Sequence, residues 1–487
     1  MKKTAMYVWL FVVGTIPVQL FAQESADTLK LNLQQSIELL LGQNLSVKAA
    51  NEAHQQTEYE LKSARGFYMP QIGVNATFGI TSDPVTLDLS PIGDALEGIY
   101  KISAIQNQLI GTNPAIASNP LYKLLLQGAQ QGTQQGLDAI SNANWEKVLL
   151  DDNLGKISAD LKWPIFTGGK ITAANRAAKA SANEQLEKTR MITNAEITTL
   201  VQRYYGLQLF IEVVKVRNTV LDGMHHHLEN ARKMEQNGII SEAERLHAEV
   251  AYAQAEKEFK KAVKDVELMQ TALKSSLNTT QPVIPTTQMS IAKTVLPLNN
   301  YIEMARQSNP VFGQLEQKKL LANQAITKER SEYFPDIALM GSYDIYRYNM
   351  TDLLPNWYVG IGLKMNIFDG LAKQNKIRAT KIQHQQIETA EQKIALDIST
   401  GITKVYQQME QVVEQYQSGE VSLKFAQEYL RIREKGFREG FATSSDVVDA
   451  NMNLSKVKIE QLKSVYEYNV ALAMLLELGG VSQQIVE

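Results

Sequence analysis

The sequence predicts a mixed α+β membrane protein made of two copies of one unit, helix–strand–strand–long helix–helix, with four strands per chain. Three observations carry that expectation. Two distant stretches match without a gap, short segments alternate strictly between apolar and other residues, and two long runs contain no proline.

The N-terminus comes first in the chain. Met1-Lys2-Lys3 is basic, and Ala5 to Ala22 carries no charge, the composition of a secretory signal peptide over residues 1–22. Cleavage after Ala22 would leave Gln23 first. A membrane anchor fits less well, because the apolar stretch is short, holds Gly14 and Pro17, and has no basic flank behind it. No other helical span of about 20 apolar residues follows, which excludes an inner-membrane helical protein. The chain has no cysteine, so disulfides, thiolate metal sites and a lipid-modified cysteine are all excluded. A net charge of -3 argues against a nucleic-acid partner.

The internal match organises the rest. Asn44 to Pro70 aligns without a gap onto Asn309 to Pro335, an offset of 265 residues. Leu161 to Gly169 (LKWPIFTGG) matches the segment from Leu363 (LKMNIFDGL) at an offset of 202, which then pairs Arg176 with Arg378, Tyr204 with Tyr406, Leu228 with Leu430 and Gly238 with Gly440. The first copy therefore occupies 23–295 and the second 296–487. The offsets differ by 63 residues, so the first copy carries an insertion, residues 81–153.

Each copy contributes two strands. In Gln71–Ile80, apolar Ile72, Val74, Ala76, Phe78 and Ile80 alternate with Gly73, Asn75, Thr77 and Gly79. Lys156–Phe166 sets Ile157, Ala159, Leu161, Trp163 and Ile165 against Ser158, Asp160 and Lys162, and Trp357–Phe368 does the same around Lys364 and Asn366. Ile337–Tyr348 alternates more loosely. Alternation of this kind marks a half-buried strand. By periodicity alone, a soluble sheet packed on helices and a membrane sheet fit equally. Strand lengths of about 9–11 residues suit a tilted membrane crossing. Phe67, Tyr68, Tyr333, Phe334, Trp357 and Tyr358 cluster at strand ends, as in interfacial girdles. Export of the chain tilts the balance further. Four strands cannot close a barrel, and lipid does not tolerate open edges. Other copies must complete it: two would give eight strands with a filled interior, three would give twelve with room for water. A pore favours the trimer.

The helices follow. Lys170–Gln236 and Ala372–Glu439 are each about 67 residues, on the order of 100 Å at 1.5 Å per residue. Ile394, Ile398, Ile402, Val405, Met409, Val412 and Tyr416 step by three and four, a coiled-coil stripe. Gly238 and Gly440 then suit left-handed caps and tight reversals, with returning helices over Glu242–Leu277 and Ser444–Leu478.

This arrangement resembles the TolC-like outer-membrane efflux protein family over about Leu31 to Gly480. The resemblance rests on the duplicated unit, on the helix-to-strand junctions at Pro70 and Pro335, and on Gly440-Phe-Ala-Thr-Ser-Ser-Asp-Val-Val-Asp-Ala450, similar to the family's Asp-Val-Leu-Asp-Ala signature at the periplasmic tip. It implies a trimeric 12-stranded outer-membrane β-barrel continued by an α-helical coiled-coil barrel in the periplasm. It also implies an outer-membrane channel of a tripartite efflux or type I secretion system, partnered by a periplasmic membrane-fusion adaptor and an inner-membrane pump of RND or ABC type. Asp446 and Asp449 match the family's entrance aspartates, and Glu244 holds the corresponding place in the first copy. Spacing of three puts both aspartates on one helix face, and three-fold symmetry would make carboxylate rings of the kind used for cation selectivity. Acids favouring the helix dipole are the plainer account. Adaptor docking falls to the hairpin tips, Asn237, Gly238 and Ile239 with Glu439, Gly440 and Phe441. Where better-known members carry a latching tyrosine and arginine, this chain has Phe437 and Ala442, so a polar latch of that kind is not expected.

Other candidates carry less. His225-His226-His227 cannot converge on one ion from consecutive helical positions and reads as a solvated face. Thr167-Gly168-Gly169-Lys170 lacks the context of a phosphate loop. No nucleophile–base pair stands at a recognisable spacing, so an enzyme is not expected, and neither is a cofactor or metal. The insertion, with Pro84, Pro91, Pro114, Pro120 and an apolar stretch near Leu121–Gln127, would be an extracellular loop: a surface cap contacting neighbouring protomers, a partial plug or a poorly ordered loop. The rival to a channel is a periplasmic structural coiled-coil protein without a pore.

Overall fold

The computed structural model describes residues 28–88, 146–291, 296–351 and 355–486. The expected signal peptide at 1–22 lies outside these residues, as does most of the insertion, including Pro91, Pro114, Pro120 and Leu121–Gln127. In order, the chain forms β1 (Leu29–Leu31), α1 (Leu33–Gln43), α2 (Leu45–Gly66), β2 (Gln71–Ile80), β3 (Val85–Asp88), β4 (Glu146–Phe166), α3 (Lys170–Gln236) and α4 (Glu242–Leu277). It continues with β5 (Val283–Pro285), α5 (Leu298–Ser308), α6 (Pro310–Ser331), β6 (Asp336–Met350), β7 (Trp357–Lys364), α7 (Ala372–Arg438) and α8 (Ser444–Gly479). The helix lengths pair off: 22 residues in α2 and α6, 67 in α3 and α7, 36 in α4 and α8.

Two compact units result, one of His54–Gln185 with Leu315–Ala390, the other of the chain up to Ala53, Leu186–Gln314 and Glu391 onward. The first unit is built on a sheet of order β2–β4–β6–β7, antiparallel throughout, with β3 also paired to β4. Its strands depart from the sequence expectation in length. β4 runs for 21 residues and β6 for 15. The N-terminal part of β4, Glu146–Asn153, and all of β3 were expected inside the inserted loop. Asp151, Asp152 and Asn153 show no apolar alternation there; cross-strand pairing, not periodicity, extends the ladder past the half-buried face. β7 ends at Lys364, four residues short of Phe368.

The second unit is helical. Its core joins α1, α3 and α4 through Leu40, Ile197, Leu200, Tyr204, Leu273 and Leu277, and α5, α7 and α8 through Tyr301, Ile402, Met409, Tyr468 and Leu475. Ile402 and Met409 are buried, with Ile398, Val405 and Val412 packed around them, as the stripe on α7 requires. A short parallel pair, β1 with β5, has no signal in the sequence. Tyr204 holds it in place: its hydroxyl donates to the Leu31 carbonyl at 2.8 Å and accepts from Thr286 and Thr287 N–H at 3.0 and 2.9 Å.

Where a single helix was expected to enter each copy, an asparagine divides two. Asn44 ends α1 and starts α2, its Oδ1 accepting from the N–H of Ser46 and Val47 at 2.8 and 3.1 Å. Its Nδ2 donates to the Ser276 carbonyl, 2.9 Å away near the end of α4. Asn309 repeats this between α5 and α6, accepting from Val311 N–H at 2.9 Å and donating to the Leu478 carbonyl at 2.7 Å.

Candidate functional site

The sheet has two chemically different faces. Register places Ile72 opposite Leu161, Val74 opposite Ala159, and Ala76 opposite Ile157. Leu161 stands opposite Gly341, and Gly341 opposite Val359. On this face the apolar side chains meet solvent, Ile72 at 77%, Ile80 at 86% and Ile361 at 69% exposure. Exposed Trp357, Phe67, Tyr68, Tyr333 and Phe334 stand at the strand ends. So much exposed apolar area on one surface marks a face that meets something other than water.

The opposite face is polar and internally bonded. Ser342 Oγ donates to Asp160 at 2.6 Å, and Asn75 Nδ2 bonds the same carboxylate. Asp344, its side chain 5% exposed, pairs with Lys156 at 2.6 Å and Arg347 at 2.7 Å. Charges taken from water in this way are held by partners and hydrogen bonds. β2 and β7 close the series, so each leaves one strand edge without a partner among the described residues. No described helix is long and apolar enough to cross a membrane.

The hairpin tips lie within the helical unit. Gly238 and Gly440 have φ of 68° and 79°, the left-handed region that glycine enters freely. Each chain reversal is closed the same way, Ile239 N–H to the Met234 carbonyl and Phe441 N–H to the Gly436 carbonyl. Asn237, Gly238, Ile239, Glu439, Gly440 and Phe441 are all exposed, Phe441 at 85%. Arg245 ties the first tip together, pairing with Glu235 at 2.9 Å and Glu249 at 2.7 Å.

The three carboxylates expected at a constriction take different positions. Asp446 is the third residue of α8 and completes a capping box with Thr443: its Oδ2 accepts from Thr443 N–H and Oγ1, both at 2.9 Å. Arg433 of α7 stands 3.5 Å from it. The bonds from Thr443, aided by Arg433, hold the Asp446 carboxyl below the usual carboxylate range. Glu244 accepts the Ser444 N–H at 2.8 Å, so an acid of the first hairpin caps the second. Asp449, one turn on, is exposed.

The histidine tract corrects the sequence expectation. His225 and His226 are exposed, but His227 is 5% exposed. Its Nε2 lies 2.8 Å from Ser444 Oγ and its ring 4.6 Å from that of Phe437. The tract was expected to be a solvated helix face; hairpin pairing buries its third member. Sequence reasoning also missed Arg245, Arg433 and Ser444, which act across turns or between hairpins and leave no local pattern. Among the described residues no cluster of His, Cys, Asp or Glu could hold a metal ion.

Comparison with known proteins bears on this geometry. Residues 301–481, from α5 through α8, match the family model described as outer membrane efflux protein. That match spans 181 of the 487 residues, all in the C-terminal part of the chain. Solved structures share its fold: a membrane protein from Pseudomonas aeruginosa (TM-score 0.70, 14% identity, 92% of each chain covered) and the CmeC outer membrane channel of Campylobacter jejuni (0.69, 15%, 93% of this chain and 86% of that one). A third is the outer membrane protein VceC of Vibrio cholerae (0.66, 15%, 92% and 96%). Curated protein sequences give no match. What this chain shares with these outer membrane proteins is the fold.

Proposed function

We propose that this chain is an outer-membrane efflux protein, one protomer of a homotrimeric channel that passes substrates passively from the periplasm to the exterior, in a tripartite efflux or type I secretion system. The observation that carries the proposal is the sheet with one exposed apolar face, one polar face, and edges on β2 and β7 that have no partner among the described residues. Alternating strands in register β2–β4–β6–β7 let β7 of one copy pair with β2 of the next, antiparallel as the rest. Twelve strands close without an edge, the apolar face meets outer-membrane lipid, and the polar face lines water. A pore-free periplasmic coiled-coil protein would leave that apolar face without a solvent to suit it.

In this reading the chain is two structural repeats, 23–295 and 296–487, and the hairpin tips form the periplasmic entrance. Asp446, Asp449 and Glu244 would supply its carboxylates. Asp449 is the best placed to face permeating ions, since Asp446 and Glu244 already serve as helix caps. Asn237, Gly238, Ile239, Glu439, Gly440 and Phe441 offer an exposed surface for a periplasmic membrane-fusion adaptor, which would join the channel to an RND or ABC inner-membrane pump.

Planar-bilayer conductance of the purified protein tests the proposal, beside Asp449→Asn and Asp446→Asn. Small cation-selective openings are expected. Asp449→Asn should weaken cation selectivity, while Asp446→Asn should also loosen the tip and raise conductance. Openings identical in all three would remove these carboxylates from the constriction; a folded trimer with no openings, even with the tip loosened, would overturn the channel.

A further inference from the structure

His227 has no part in the conduction path described above, yet it touches both helices of the second hairpin. It lies on α3, eleven residues before Gly238, about three helical turns. Its ring rests on Phe437 of α7, 4.6 Å between centroids. Its Nε2 is 2.8 Å from the hydroxyl of Ser444, the first residue of α8, whose N–H is in turn donated to Glu244 of α4. One buried imidazole of the first hairpin thus meets both helices of the second where α8 begins. The same turn carries Asp446, and the next carries Asp449.

We propose that His227 is a positioning residue through which the hairpin tips sense acidity, holding the first turn of α8 while neutral and releasing it on protonation. Only the consequence for conduction rests on the channel reading.

The physical case starts from the helix end. The first N–H groups of α8 leave partial positive charge at its start. A neutral imidazole tolerates this and shares one hydrogen bond with the serine hydroxyl. An imidazolium would be a second positive group there, buried against a phenyl ring, which is strongly unfavourable without a dedicated counter-charge. The groups around it do not supply one. On α4, Glu244 attracts a positive ring but already accepts the Ser444 N–H, and His247 repels it. Across α7 and α8, Arg433 and Asp446 pair with each other. On α3 itself, His225 and His226 are exposed.

Burial, with a smaller contribution from His247, pushes the His227 imidazole down to about 4. Its folded value lies below the unfolded value of about 6.5, so its contribution to stability is complete above that pH and is lost as pH falls from there towards 4. Asp446 cannot produce the same window, because its carboxyl is held below the ordinary carboxylate range and titrates at lower pH.

The test is hydrogen exchange of the full-length protein, assembled in detergent, followed over residues 440–450 and corrected for intrinsic rates. Protection of the first turn of α8 should fall at least about tenfold between pH 7 and pH 5. His227→Gln keeps a hydrogen-bonding side chain that does not titrate, and its protection should stay flat. Should that variant fail to assemble, His227→Phe, which packs on Phe437, serves the same purpose. A flat wild type, or a variant that loses protection as the wild type does, overturns the inference. Bilayer currents recorded over the same pH range separate the two readings. Loss of protection without current at any pH upholds His227 and sinks the channel; current without acid-dependent loss of protection does the reverse.

Discussion

At the scale of single residues, two asparagines do more than their small size suggests. Asn44 and Asn309 each cap one helix with Oδ1 and, through Nδ2, satisfy a carbonyl near the end of a returning helix. Alanine at either position removes a cap and leaves that carbonyl without its partner. Asn44→Ala and Asn309→Ala should each lower stability by about 1–2 kcal/mol, read from denaturant midpoints. Asn309→Asp separates the two contributions, keeping the acceptor but not the donor. The sequence shows that these residues correspond, since they open the gap-free match. It does not show why, because their partners, Ser276 and Leu478, lie more than 160 residues away in each case. His227 is the opposite lesson. A run of three histidines looks like a solvated surface, and only the meeting of two hairpins decides which of the three is buried. Asp446 stands between them: its spacing from Thr443 is a legible capping box.

At the scale of elements, legibility follows periodicity. The 67-residue helices, their glycine reversals and the apolar stripe of α7 could be read because each repeats a local rule many times. Within that stripe, Met409 is 1% exposed and its neighbour Gln408 is exposed. Met409→Ala should cost about 2–5 kcal/mol through lost contacts and the space left behind. Gln408→Ala should stay within about 0.5 kcal/mol, and paired melts of the two variants would check the contrast. Where pairing outruns pattern, the sequence misleads. The first eight residues of β4 are strand because β3 and β6 bond to them, not because their side chains alternate. The β1–β5 pair, three residues on each side, is too short for any periodicity to register.

At the scale of the whole molecule, alternation predicts which face is apolar, but in the proposed trimer the solvent of each face depends on closure by other chains. Val74 and Thr77 sit on opposite faces of β2, so they test that assignment within one strand. Val74→Arg should strongly reduce the amount of trimer recovered from the outer-membrane fraction, since a charged side chain facing lipid costs about 2–4 kcal/mol near the bilayer centre. Thr77→Arg should leave that yield nearly intact and alter ion selectivity instead. Equal losses for both would mean that neither face meets lipid. The margins of β2 and β7, which have no partner among the described residues, also bear on how the proposed channel comes into being. If three copies complete the barrel as proposed, a lone copy carries an unfinished wall, unable to enter lipid and ill suited to water, so folding, association and insertion must be completed together. Biogenesis of the proposed trimer would therefore be collective and concentration-dependent, with the apolar face in need of shielding until partners arrive. A copy with one damaged margin still offers a sound one to its neighbours, so it would spoil the rings it joins and act as a dominant fault.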